Sequence, residues 1–482
     1  MKTIQEHRNI IVVSLLFIIL YSIISIVNHY NFRTYALDLG LYTNAAYKYA
    51  HFQIADSTII KEYFEPILGG HFDLYLIIFS PLTYVFGTYT LLIVQIIALI
   101  CGGIGVYNYF QLFQDKNVPL YSAIYFYLFY GVFGALSYDY HSVVVASSIV
   151  PWFFIAIRQK RKWLSLILLI SILISQENIS LWMAFICLGL AIEQRKNVKT
   201  ATILILFAGI SIVYFIAITS YVIPYFSAQN EYGGFHYSCL GNNMISALRT
   251  FILNPMENLK ILFLNHNNNV HGDFVKIETH IILLTSGLFL LIKKPYYLLM
   301  LLPIYFQKFF HDNYSMWAIG DQYNIEFTPI LAIGIFSVIS EFKKEKIRNI
   351  MSLIILSLAL IATVKTMDQT IYYTDKSRIR FYQKRHYQRD FNVESVHEYL
   401  SKIPKNAKVS AQSPFVPHLS LRDNIYQFPI IKDAEYIIYC RKEIVYPMSN
   451  NEFEMKINEL ETSKDWEIYH DNEITILKKI IK

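Results

Sequence analysis

The 482-residue chain is 54% hydrophobic and only 16% charged, with a formal net charge of +6 and a mean hydropathy of +0.35. These values exclude an ordinary soluble domain and identify an integral membrane protein. The positive excess sits in short gaps between apolar runs, so it reads as the Lys/Arg bias of cytoplasmic loops and not as a nucleic-acid footprint; no nucleic-acid partner is expected.

The first apolar run, 10–27, is long enough to span a bilayer, and His29-Tyr30-Asn31-Phe32 follows it where a small-residue cleavage site would stand, so it reads as a retained span. Basic residues then fill every second gap: Lys2/Arg8, Lys116, Arg158/Lys160/Arg161/Lys162, Arg195/Lys196/Lys199, Lys293/Lys294 and Lys343/Lys344/Lys346/Arg348. The gaps at 137–141, 176–178 and 311–322 hold no Lys or Arg, and the long ones at 30–87 and 223–276 hold only scattered ones. This alternation places the N-terminus in the cytoplasm and the poor gaps outside, with outer loops at 29–87 and 223–276.

Because a crossing helix needs about 20 residues, the runs predict spans near 10–28, 88–111, 119–137, 141–158, 163–176, 178–193, 201–222, 277–292, 295–311, 323–341 and 348–367. That makes about eleven, an odd number that sends the C-terminus outside. Gln176-Glu177-Asn178 interrupts a long apolar run; one tilted helix would bury Glu177 near the bilayer centre at a cost of about 2.5–3.5 kcal/mol, so a hairpin of two short helices is expected. The stretch 71–87, short and containing Pro81, reads as a membrane-dipping or interfacial segment. The transmembrane domain is thus 1–367.

Beyond residue 368 charges rise and Pro404, Pro414, Pro417, Pro429 and Pro447 punctuate the chain, which predicts an extracytoplasmic soluble α/β domain over 368–482. Within it, 392–403 and 452–461 have helical period, 408–411 and 434–440 read as buried strands, and 467–477 as a hairpin around Asp471-Asn472. The fold class is therefore mainly α, a polytopic helical bundle with a C-terminal α/β domain. Cys101 and Cys187 lie in apolar runs as packing residues; Cys239 and Cys440 both fall outside, which leaves a disulfide between them open.

Polar residues that stand out against the membrane gather on the outer side. Asp38 follows the first span, with His71 and Asp73 later in the same loop; a carboxylate near a helix end facing a membrane cavity suits general-base or metal-binding work. Asp139 and His141 open a span, where an N-cap is the plainer role for Asp139 and a phosphate or metal contact the functional one for His141. Glu177, embedded between apolar runs, is a functional candidate or a polar plug between helices. Lys308 and His311, with Asp321, Gln322 and Tyr323, complete a polar ring, although Lys308 has the length to snorkel.

On Asp38-Leu-Gly40, His71-Phe72 with Ser80-Pro81-Leu82, Tyr138-Asp139-Tyr140-His141, Gln176-Glu177-Asn178, Gln322-Tyr323-Asn324 with Pro329, and Ser410 through Ser420 on into Arg422-Asp423-Asn424-Ile425-Tyr426, the chain resembles a bacterial polytopic membrane family called domain of unknown function 2079. The layout also resembles the GT-C glycosyltransferases. That resemblance implies a GT-C-like bundle in the plasma membrane, with Asp38 at the catalytic acid position and His71 and Pro81 near the element that closes the loop. It further implies a polyprenyl-phosphate sugar donor drawn from the lipid bilayer, a cell-surface acceptor, and a cation for the donor phosphate from Lys308, Arg249, His141 or a divalent metal, Mg or Mn, with Asp38, Asp139 and His141 as candidate ligands. Asp38 is followed by Leu39 and His71 by Phe72, which departs from the mannosyltransferase pattern. On this reading Asp38 and Glu177 are the catalytic pair, and His418 in the C-terminal domain contacts acceptor or simply holds its loop. A transporter or flippase for a lipid-linked or small polar substrate, and a non-catalytic receptor, are the alternatives.

Overall fold

The computed structural model describes residues 7–113, 115–267, 269–372 and 375–480; Lys2 lies outside them. The protein is mainly helical with one small sheet. Four helical stretches are long and apolar enough to cross a membrane: Arg8–Tyr30, Tyr75–Gln111, Val198–Phe226 and Glu345–Asp368. A fifth forms if Val118–Leu128 and Tyr130–Leu136, bent by 43° at Phe129, count as one span. At that bend the freed carbonyls of Tyr127 and Leu128 accept the hydroxyls of Tyr21 (2.8 Å) and Thr363 (2.7 Å), which is how a broken helix is tolerated among apolar neighbours.

Eleven spans is more than these lengths support. The run 163–193 does fold as a hairpin, Lys162–Leu173 and Glu177–Glu193, broken at an extended Gln176. The first arm, however, has 12 residues and rises ~18 Å, well short of a hydrocarbon core of ~30 Å. Phe327–Ile339 and Ser142–Arg158 are similarly short. Buried polar turns cut these helices off, a feature that a count of apolar residues does not register.

The charge alternation nonetheless has a structural counterpart. The basic gaps meet at one end of the bundle through Arg348–Asp115 (2.6 Å), Lys294–Glu341 (2.8 Å) and Arg158–Glu193 (3.6 Å). Flanks of Arg8–Tyr30 and of the 198–226 stretch leave Leu15, Leu16, Ile19, Ile205, Leu206 and Val213 exposed, an apolar surface suited to lipid. The 71–89 stretch consists of short helical turns ended by Gly87 at φ 56°, with Ile78, Tyr84 and Val85 exposed, consistent with an interfacial segment.

The opposite end carries the α/β unit. Its five strands, β1 Val409–Ala411, β2 Ile425–Gln427, β3 Tyr436–Tyr439, β4 Trp466–Asp471 and β5 Thr475–Lys479, run in the order β2-β1-β3-β5-β4. β1 pairs in parallel with β2 and β3, and β5 antiparallel with β3 and β4. Alternation decides what each face covers: Ile437, Tyr439 and Leu477 pack on Phe453, Ile457 and Leu460 of helix Asn450–Thr462, whereas Ile438 and Ile476 share a core with Phe32, Leu39 and Leu76 of the membrane-proximal segment. The expected helices, strands and hairpin of this unit form; β2 was not foreseen. Cys239 and Cys440 are both free, their thiols donating to the carbonyls of Phe310 and Glu473 (3.3 Å each), so they form no disulfide.

Docking of the unit depends on close approach. The Ala36 N–H donates to Ser413 Oγ (3.1 Å), and Asn44 donates to the carbonyls of Ser420 and Arg422 (2.8 Å each). A Cβ at Gly40 would stand 2.9 Å from Val416 Cγ1, so the turn and the 416–419 helix fit only because Gly40 lacks one. Gly40→Val is expected to lower stability by about 1–3 kcal/mol through overpacking, seen as a lower unfolding midpoint in detergent, while Gly209→Ala, inside a helix where a Cβ meets nothing within 4 Å, does not lower the midpoint and raises it if anything.

Candidate functional site

Asp38 lies on a π-helical turn, Ala36–Gly40, immediately before helix Leu41–Ala50. Such turns insert an extra residue and recur at functional sites; this one is clamped from below by Asp139 and from above by Ser413 and Val416. The Asp38 side chain keeps 22% of its surface open, with Oδ1 3.7 Å from His141 Nε2. Burial of the rest pushes its carboxyl up to about 6, against the opposing pull of Arg378 and His71.

The 137–141 turn supplies the floor. Asp139 adopts φ 45°, an unusual backbone for a non-glycine residue, and is held there on both carboxylate oxygens: Oδ2 accepts the Tyr35 N–H (2.9 Å) and Oδ1 the Arg378 guanidinium (2.5 Å). Arg378 lies between the rings of Tyr35 and Tyr138, 5.1 and 5.0 Å from their centroids. Gln95, from within the 90–111 helix, fixes the turn by donating to the Asp139 carbonyl (2.9 Å) and accepting the His141 N–H (3.0 Å). Burial drives His141 down to about 4, so it is neutral; its Nε2 also lies 3.2 Å from Gln322 Nε2. Beside it, Asp321 is buried with Oδ1 unpartnered, and burial raises its carboxyl to about 6.

A second carboxylate–cation pair forms the facing wall. Glu177, only 1% exposed, holds His71 Nδ1 at 2.8 Å through Oε1 and accepts the Phe72 N–H (3.2 Å) through Oε2. Tyr232 donates to the same carboxylate at 3.4 Å. His71 stays 49% exposed with its other edge towards the cleft; although burial alone would lower it, the Glu177 carboxylate raises its pKa and favours imidazolium. Asp73 accepts the Tyr75 N–H (2.8 Å), and burial pushes it up to about 7. The Tyr42 phenol, raised well above its usual value by burial, feels Asp38, Asp73, Glu177 and Tyr323 together, so the two groups lie near one another around it.

Thus Asp38, His71, Asp73, Asp139, His141, Glu177, Gln322 and Tyr323 lie together, and four other candidate residues lie elsewhere. Lys308 donates its ammonium protons to the carbonyls of Met316 (2.8 Å) and Ala318 (2.7 Å), holding a loop. His311 faces a separate cleft beside His236. Arg249 is exposed on helix Met244–Leu253, with no bond to this group among the described residues. His418 stacks on His29 at 4.1 Å and packs against Phe32 at the domain junction. Arg378 and Gln95 were missed. Arg378 is one of several basic residues in the linker after the last long helix, with Lys376, Arg380, Lys384, Arg385 and Arg389 around it, so nothing in the spacing singles it out.

Among the described residues, no three His, Cys, Asp or Glu side chains are placed to hold a metal ion. Of the expected ligands, Asp38 and His141 are neighbours, whereas Asp139 is taken by Arg378 and the Tyr35 N–H.

Removing either partner of the buried Asp139–Arg378 pair strands the other charge. Arg378→Ala and Asp139→Asn are each expected to cost about 3–5 kcal/mol, and the double variant less than their sum. Thermal unfolding of the four proteins in one detergent measures the coupling; additive losses would mean that the pair does not act as a unit.

No curated protein matches the chain. Residues 28–470, a segment that starts before Asp38 and ends after β3, match the family described as Predicted membrane protein (DUF2079), and the chain belongs to that family.

Proposed function

We propose that the protein is a membrane glycosyltransferase of GT-C type that moves a sugar from a polyprenyl-phosphate carrier to an acceptor on the extracytoplasmic side. The observation that carries this reading is Asp38: a partly open carboxyl, raised towards neutral pH, in a cleft at the end of the bundle away from the basic gaps, between two cations that each have a carboxylate of their own. An isoprenoid carrier lies in the bilayer and meets such a cleft between short helices.

In this reaction Asp38 takes the proton of an acceptor hydroxyl while the hydroxyl oxygen attacks the anomeric carbon. The bond from that carbon to the phosphate oxygen breaks, and its electron pair leaves with polyprenyl phosphate. Arg378 and His71, held by Asp139 and Glu177, are the groups on hand to offset the phosphate charge. A divalent ion at Asp38 and His141 would serve the same end. The carboxyls near pH 6–7 also suit a proton-coupled transporter; against it, these groups gather at one end of the bundle, whereas a transporter is expected to bind substrate near the midplane.

The test is release of polyprenyl phosphate when the protein, in lipid nanodiscs, is incubated with a bacterial lipid extract. Asp38→Asn is expected to slow release by about 10²–10⁴ with folding intact; full activity in that variant would remove Asp38 as base. Because a base must be unprotonated and Asp38 titrates at about 6, the wild-type rate should rise through that pH, about tenfold slower at pH 5 than at its maximum, and decline again only where His71, raised by Glu177, loses its proton. A rate that falls across the same range would contradict the assignment.

A further inference from the structure

A second cleft opens at the same end of the bundle, where the loop after helix Pro295–Phe309 meets the segments 236–240 and 265–273. Its volume is about 980 Å³, at the upper end of the ~300–1,000 Å³ of small-molecule sites. His236, Asn269, His271, His311, Asn313 and Tyr314 line it, and no Lys or Arg does among the described residues.

The charge of this cleft is satisfied internally. Asp312, its one carboxylate, accepts the Ser238 hydroxyl (2.6 Å) and the Ser238 N–H on both oxygens (2.9 and 3.1 Å). Burial and the neighbouring His236 push His311 down to about 4, so it is neutral. His311 Nδ1 accepts the Asn313 N–H (2.9 Å), and the side-chain oxygens of Asn269 and Asn313 cap the turns that follow them. What remains available on the cleft wall is the rings of His236 and His271, both exposed, and the Tyr314 hydroxyl, none of which has a side-chain hydrogen bond among the described residues.

These properties select a ligand class. A phosphate or other strong anion is usually held by Lys or Arg, and neither is among the described lining residues. A lipid chain needs apolar walls, and Val270 is the only aliphatic residue among the described lining. Amide, hydroxyl and imidazole groups set beside aromatic faces match a ligand rich in hydroxyls. We propose that this cleft binds an uncharged oligosaccharide.

Its place in the chain gives that ligand a role, one that rests on the transferase reading above. The loop that carries His311 and Tyr314 is pinned by Lys308, through the carbonyls of Met316 and Ala318, and by Trp317, whose indole N–H donates to the His311 carbonyl (2.9 Å). Four residues beyond Trp317 the same loop reaches Asp321, and then Gln322 beside His141. A glycan seated in the second cleft therefore lies along a braced loop that leads to Asp38, as an acceptor chain would.

The test measures binding to the full protein in lipid nanodiscs free of maltoside detergent, by saturation-transfer NMR. The probes are three neutral tetrasaccharides, maltotetraose, cellotetraose and chitotetraose, with tetragalacturonate and inorganic phosphate as charged comparisons. At least one neutral probe is expected to bind saturably, and His236→Ala/His271→Ala, which removes two exposed rings, to weaken it about tenfold. Tyr314→Phe should weaken it by a smaller factor, since only the hydroxyl is lost. Saturable binding of none of the neutral probes, undiminished binding by the double variant, or preference for a charged probe would overturn the proposal. Carrier turnover separates the two readings: neutral-glycan binding without carrier turnover in wild type sinks the transferase and keeps this site, whereas turnover with glycan binding indifferent to His236 and His271 does the reverse.

Discussion

The buried pair between Asp139 and Arg378 is the contact on which the rest of the cleft depends. Its two partners come from a turn between membrane helices and from the linker that follows the last long helix, and they meet at 2.5 Å with almost no solvent access. A buried ion pair adds little net stability relative to a well-packed apolar substitute. Its effect is on placement: Asp139 also takes the Tyr35 N–H at the start of the turn bearing Asp38, and Arg378 fills the space between Tyr35 and Tyr138. The linker is fastened further by Arg33, which donates to the carbonyls of Arg385, His386 and Gln388, and by Asn28, which donates to the Arg378 carbonyl at 2.7 Å. The soluble unit and the Asp38 carboxyl are thus positioned by one set of bonds.

The same construction recurs on the opposite wall, where Glu177 holds His71. Each cation has a private carboxylate that orients it, and Asp38 between them is left without a close guanidinium or ammonium of its own. Desolvation then dominates Asp38, as it does Asp73 and Asp321, and brings all three towards neutral pH. Short helices make this arrangement possible: the hairpin arm of 12 residues is shorter than the full depth of a bilayer and His71 beside its end keeps 49% of its side-chain surface open.

Much of this was legible in the sequence because membrane insertion writes charge and apolarity in coarse blocks. The alternation of basic gaps identified which loops share an end, and Gln176-Glu177-Asn178 marked a helix break because a continuous helix would carry its acid into hydrocarbon at a cost of several kcal/mol. Helical period, short buried apolar runs and the Asp471-Asn472 turn after residue 392 predicted most of the C-terminal α/β unit, while β2, three residues within a motif of mixed character, carried no such pattern. The span count failed where buried polar turns shorten helices. The partner of Asp139 was illegible because the pair joins positions 239 residues apart, and no local spacing encodes that. Lys308 illustrates the opposite error: a lysine near a membrane boundary reads as an available cation, yet the folded loop uses it as a carbonyl clamp.

If the Asp38 site receives a sugar carried on polyprenyl phosphate, native mass spectrometry of the protein released from its own membrane should detect it. A bound species with the mass of a polyprenyl phosphate plus a sugar is expected, retained in Asp38→Asn, where transfer is blocked, and lost in Arg378→Lys, where the planar guanidinium is replaced by a point charge. Absence of any such species from wild type and Asp38→Asn, even after carrier lipid has been supplied, would contradict it.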